Sequence, residues 1–170
     1  MPRKIENDWF DGFIHDNVIL DQGAHIETTQ SFELFKSTQQ PALTVGKFSA
    51  IYPPTTFDLG PAARLTIGAY TMLNGPRIIC DSEIKIGDYC LIAWNVILMD
   101  NYRAPRDSTP HPIRIGNNVW IGFDSIVLPG VTIGEDSIVA ARSVVRENVP
   151  PYSMVAGNPA RLIRKLESDF

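Results

Sequence analysis

Apolar residues recur every six places through the last third of the chain. From Ile115 to Pro150 the hexads are headed by Ile115, Ile121, Val127, Ile133, Val139 and Val145. Four places after each head stand Val119, Ser125, Val131, Ser137, Ser143 and Val149, all small or β-branched. With 44% of the chain hydrophobic, six apolar heads in a row arise by chance in about one window in a hundred, and the second constraint lowers that roughly a thousandfold. A fixed six-residue period marks a β-helix, with three hexads to each coil of a triangular prism. Heads and small fifth residues should point inward, and the Gly, Asn, Asp and Pro between them let the corners turn.

The same period begins earlier and is interrupted. Ile14, Leu20, Ile26 and Phe32 are six apart; Phe32 to Ala42 then breaks the pattern and reads as a loop. Val45 and Ile51 resume it, Thr56 to Arg64 reads as a second break, and Ile67 and Leu73 restart the count. An extra residue near Gly75-Pro76 moves the register to Cys80, Ile86, Ile92 and Leu98. Residues 100–112, rich in proline and charge, read as a protruding loop. About six coils fit between Ile14 and Pro150, so the expected architecture is all-β, a parallel β-helix in one domain spanning 1–170. Residues 1–13, polar with Trp9, Phe10 and Phe13, should cap the first coil, where backbone groups would otherwise stay unpaired. At the other end Asn158 and Pro159 read as the cap and first position of a helix over 159–168, with Leu162, Ile163 and Leu166 on one face.

Composition narrows the function. The 170 residues carry a formal charge of −4, which offers no basic field for nucleic acid or an anionic membrane. No run is long and apolar enough for a membrane span, and Met1-Pro2-Arg3-Lys4 is followed by Ile-Glu-Asn-Asp where a signal peptide would have its apolar core, so a cytoplasmic location is expected. Cys80 and Cys90 both fall at inward places and read as buried free thiols.

Trp120-Ile-Gly, Leu128-Pro-Gly-Val-Thr-Ile-Gly and Val155-Ala-Gly-Asn-Pro-Ala together resemble the hexapeptide-repeat acyltransferases, nearest the galactoside, maltose and nodulation-type O-acetyltransferases and the colanic-acid-type enzymes. The resemblance is dense from about Ile67 to Leu166. It implies a left-handed coil, a homotrimer, and acetyl-CoA lying in a groove between subunits as acyl donor to a hydroxyl or amino group of a small sugar-like acceptor. It further implies that Trp120, Gly122 and Ala141 line that groove, that Arg146 lies at its cofactor end, and that Arg161 and Arg164 meet the phosphates of CoA through guanidinium forks; without the resemblance the three arginines read as a solvated face. No metal is implied: the three histidines lack the spacing of a shared zinc site.

The chain departs from the pattern where the chemistry should be. The family's catalytic histidine falls at Arg103, and an arginine stays protonated and cannot act as a base. The Thr-Lys pair of the cofactor end is Arg146-Glu147, and Phe123 stands where the galactoside enzymes carry a serine. His111, in the same loop, is one candidate to replace the base; it also stands directly before a returning strand. Asp100 could orient or supply a base, or be a turn residue ending the Leu98 strand. Asn101, Tyr102 and Arg103 could contact an acceptor or pack at a subunit contact. His15 and His25 occupy outward places in the first coil and read as solvated surface. A catalytically silent β-helix used as a binding or assembly subunit is the alternative to an acyltransferase.

Overall fold

A computed structural model describes residues 3–167. Its strands run in parallel ladders up three faces. The first face stacks Val18–Leu20, Leu43–Val45, Arg64–Ile67, Glu83–Ile86, Ile113–Ile115 and Thr132–Ile133, which counts six coils. The second runs from His25–Ile26 through Ala50–Tyr52, Met72–Asn74, Leu91–Ile92 and Trp120–Ile121 to Ile138–Val139 and Ser153–Gly157. The third stacks Thr56–Leu59, Arg77–Cys80, Ile97–Met99, Ile126–Val127 and Val144–Val145. This all-β parallel solenoid is consistent with the left-handed coil.

Register places like on like. Ile51, Leu73, Ile92, Ile121 and Val139 stand directly above one another inside the second face, and all are buried. Each such rung removes an aliphatic side chain from water, worth about 1.5–3 kcal/mol before the entropy of ordering is charged. The small fifth residues have a second job at the corners. Ser49 Oγ donates to the Gly68 carbonyl and accepts from the Thr71 N–H, and Thr71 Oγ1 donates to Gly87 O and accepts from the Cys90 N–H. Ser125, Ser143 and the Gly157 N–H continue the device at another corner. A hydroxyl here satisfies a backbone donor and acceptor of successive coils, so a buried polar side chain costs little. Both cysteines are buried and free, and burial pushes each thiol above its ordinary pKa.

Three sequence expectations need correction. The break at Thr56 to Arg64 is one of period and not of structure: Thr56–Leu59 is a strand with Phe57 and Leu59 inward, a period-two alternation that a six-residue count passes over. His15 is half-buried, stacked on Phe35 with ring centroids 4.6 Å apart and close to Phe13 and Phe32, so it belongs to the cap's aromatic packing. The expected helix over 159–168 is an antiparallel hairpin instead; Ser168 lies outside the described residues. Ser153–Gly157 pairs with the open edge of Ile138–Val139, and Ala160–Lys165 folds back upon it. An isolated helix as short as 159–168 is marginal in water, whereas the sheet edge offers backbone groups of this segment partners.

The N-terminal segment closes the first coil through Asp8. Its carboxylate accepts hydrogen bonds from the hydroxyls of Thr28 and Thr29 and from the backbone N–H groups of Thr29 and Phe10. Burial opposes the charge, but these bonds outweigh it and lower the pKa from 3.8 to about 2. A lowered carboxylate stabilises the fold above its unfolded pKa, and that contribution fades as pH falls through the folded value. We therefore expect the Phe10 and Thr29 amide resonances to shift cooperatively with the Asp8 carboxyl carbon between about pH 4 and pH 2. In Asp8→Asn this transition should be missing; its persistence would show that another group controls the cap.

Candidate functional site

The three faces differ in what they turn outward. On the first face the outward places include Lys85, Arg114 and Thr132. On the second they are Met72, Leu91, Trp120, Ile138 and Met154, each paired in register with the next. Trp120 is 49% exposed and Trp94 58%. Neither ring can be buried by its own coil, because the inward places beside them are already filled.

Between this column and the next corner lies a cavity of about 410 Å³, walled by Leu91, Trp94, Trp120, Phe123 and Met154 and floored by Gly122 and Ala141. Gly122 is bare for a local reason: a Cβ there would lie 2.6 Å from the Ala141 backbone nitrogen, so the coils could not approach. Asn74 brings one of the few polar side chains to this apolar groove. Trp120, Gly122 and Ala141, singled out from sequence, are thus brought together. Leu91, Trp94, Ile138 and Met154 were missed. The signal for most of them was available: apolar residues recur at the outward place of a single face, once per coil.

Beyond Trp120 and Ile138 the same face carries a second cavity of about 300 Å³, rimmed by Asn118, Asp136, Tyr152, Arg164 and Glu167. The three arginines expected at one place are therefore divided. Arg161 lies 3.4 Å from Glu147, which is also 3.8 Å from Arg146, whereas Arg164 turns to the second cavity.

The loop over residues 100–112 is anchored from below. Asp100 is fully buried, and its carboxylate accepts the backbone N–H groups of Asp81, Ser82 and Glu83 at 2.8, 2.8 and 3.0 Å. A carboxylate sealed in this way has no path to a substrate; the turn reading of Asp100 holds and the base reading is corrected. Asn101 is also buried, donating to Asp81 and to the Ser108 carbonyl. Arg103 clasps Asp81 through Nε at 2.9 Å and Nη2 at 2.7 Å, and reaches Asp58 through Nη1 at 2.8 Å. These bonds, Asp81 first, hold the guanidinium above its ordinary pKa. Burial works against the Asp58 carboxylate, yet hydrogen bonds from Arg103 and Arg77 outweigh it and keep its pKa below the ordinary value. Arg103 and Asn101 are thus struts, with little donor capacity left for an acceptor. Tyr102 remains 47% exposed. The His111 side chain is exposed, while its N–H donates to the Asp100 carbonyl at 2.7 Å and its carbonyl accepts from the Gly130 N–H at 2.9 Å. Among the described residues no group of three or more His, Cys, Asp or Glu could hold a metal ion, and no helix is long and apolar enough to cross a membrane.

Residues 112–147, which form the best-ordered hexads, match the bacterial transferase hexapeptide (six repeats) family. Over those residues the chain carries the hexapeptide repeats of that family. Over 130 residues the chain is 38% identical to galactoside O-acetyltransferase of Escherichia coli strain K12. That alignment covers 72% of this chain and 64% of the relative, so the chain spans a little under two thirds of its length. A hexapeptide-repeat-containing acetyltransferase from Vibrio cholerae, solved with acetyl coenzyme A, is 25% identical with a TM-score of 0.56, over 89% of this chain and 72% of that one. An N-acyltransferase from Bacillus cereus, solved with dTDP and coenzyme A, superposes with a TM-score of 0.68 over 87% of this chain and 83% of that one; at 20% identity it shows the shared fold alone.

Proposed function

We propose that this chain is an acetyl-CoA-dependent acyltransferase acting on a hydroxyl or amino group of a small sugar-like acceptor. The observation that carries this reading is the apolar groove of the second face, where Trp120, Gly122 and Ala141 meet on one wall and floor. The pantetheine arm of acetyl-CoA suits such a groove, and the exposed Arg146 and Arg161 would meet its phosphates. The exposed column of Met72, Leu91, Trp94 and Trp120 supports a homotrimer in which a neighbouring subunit covers the groove. The protein works in the cytoplasm, where acetyl-CoA is available.

Transfer is direct. His111, the imidazole of the protruding loop, takes the proton of the acceptor group as its oxygen or nitrogen attacks the thioester carbonyl; the carbon–sulfur bond breaks and CoA leaves as the thiolate, which regains a proton. A second reading, a catalytically silent β-helix that binds or assembles, is favoured by one observation: Arg103 holds the place of the family's base and is spent on Asp58 and Asp81. Calorimetry with acetyl-CoA separates the two. We expect saturable binding, weakened about tenfold or more in Trp120→Ala. The enzyme reading fails if wild type shows no heat of binding at millimolar acetyl-CoA.

A further inference from the structure

The second cavity of the second face has a chemistry of its own. Its floor is Trp120 and Ile138, and its rim carries Asp136 and Glu167 as well as Arg164. Among the described residues none of these three charged side chains makes an ion pair within 4.0 Å. Opposite charges facing one small space normally close upon each other when the backbone allows it. Two of the three are anchored. Asp136 is fixed at a tight corner, with φ of 54°, and receives a 2.6 Å hydrogen bond from Asn118 Nδ2. Arg164 is fixed on the returning strand of the terminal hairpin, paired with Met154.

The corner column itself changes character at this point. In the lower coils the same left-handed corner place is held by Phe48, Tyr70 and Tyr89, whose rings stack at 5.5 and 5.0 Å. Beside Trp120 the stack gives way to Asn118 and Asp136, and the cavity opens there. Asn and Asp suit a left-handed corner, and being smaller than the tyrosines they leave room beside Trp120 before Tyr152 takes the same place in the next coil.

We propose that this cavity binds a small zwitterion of the α-amino-acid class, its carboxylate on the Arg164 guanidinium and its ammonium between Asp136 and Glu167 over the Trp120 ring. A guanidinium fork matches a carboxylate, and an ammonium gains from both an aromatic face and a carboxylate. A simple anion would meet Asp136 and Glu167 instead, a simple cation would meet Arg164, and a neutral polyol would leave all three charges uncompensated. At about 300 Å³ the space admits a ligand of this size. The site does not depend on the acyltransferase reading, although Trp120 and Ile138 also border that groove.

The test is a titration of the full chain with L-alanine, followed by the Trp120 indole N–H resonance. Acetate and methylammonium serve as half-ligands, and methyl β-D-galactopyranoside as the neutral probe. We expect L-alanine to bind at least about tenfold more tightly than either half-ligand. Arg164→Gln should reduce its affinity to that of methylammonium, and Glu167→Gln should weaken it severalfold; both positions are exposed, so the fold is unaffected. The proposal is overturned if L-alanine does not shift the resonance at millimolar concentration, if a half-ligand binds as tightly, if the galactoside alone binds, or if Arg164→Gln changes nothing.

Discussion

Replacing His111 with alanine should lower the rate of acetyl transfer by about 10²–10⁴-fold, the usual contribution of a positioned general base. Affinity for acetyl-CoA should stay unchanged, since the groove is built from the second face and not from the loop. The substitution is clean because His111 holds its place through backbone groups, its N–H to Asp100 and its carbonyl to Gly130, and alanine keeps both. Thioester consumption measured by the appearance of free CoA thiol, with a calorimetric titration of the same variant, gives the answer. A rate equal to wild type would remove His111 from the mechanism and return attention to the silent reading.

The second large effect is on stability. Asp100→Ala leaves the backbone N–H groups of Asp81, Ser82 and Glu83 buried with no acceptor, each costing about 1–3 kcal/mol, so a loss of roughly 3–5 kcal/mol in denaturant unfolding is expected. Asp100→Asn should lose less, because its carbonyl oxygen still accepts while its amide must find a new partner. Were Asp100 a base, the asparagine variant would keep full stability and lose its activity. A stable, inactive Asp100→Asn protein would therefore contradict the buried-anchor role.

Both predictions depend on a loop whose residues were visible in the sequence and whose roles were not. The absence of a histidine at Arg103 could be read by counting from the hexads. What occupies the arginine could not, since Asp81 and Asp58 lie one and two coils away and meet it only when the third face stacks. Asp100 was open to two readings for the same reason. An aspartate after a strand looks alike whether it faces water or three buried N–H groups. The terminal hairpin failed differently: Asn158-Pro159 and the apolar spacing of Leu162, Ile163 and Leu166 are local signals for a helix, and they are overruled by the edge of Ser153–Gly157, a strand itself laid on Ile138–Val139 from the coil before.

From the sequence alone the repeat from Ile115 to Val149 already determined the coil and its inward residues. Each of these follows from a periodicity that is strictly local: a head every six places has one way to reach a common core. Only the tertiary structure decided which charges pair and which stay apart. It put Arg161 beside Glu147 and Arg164 over a separate cavity, spent Arg103 on two aspartates, and sealed Asp100 beneath the loop. Pairing is a property of distances between coils, and a six-residue period says which coil a residue belongs to but not which side chain of the next coil it will meet.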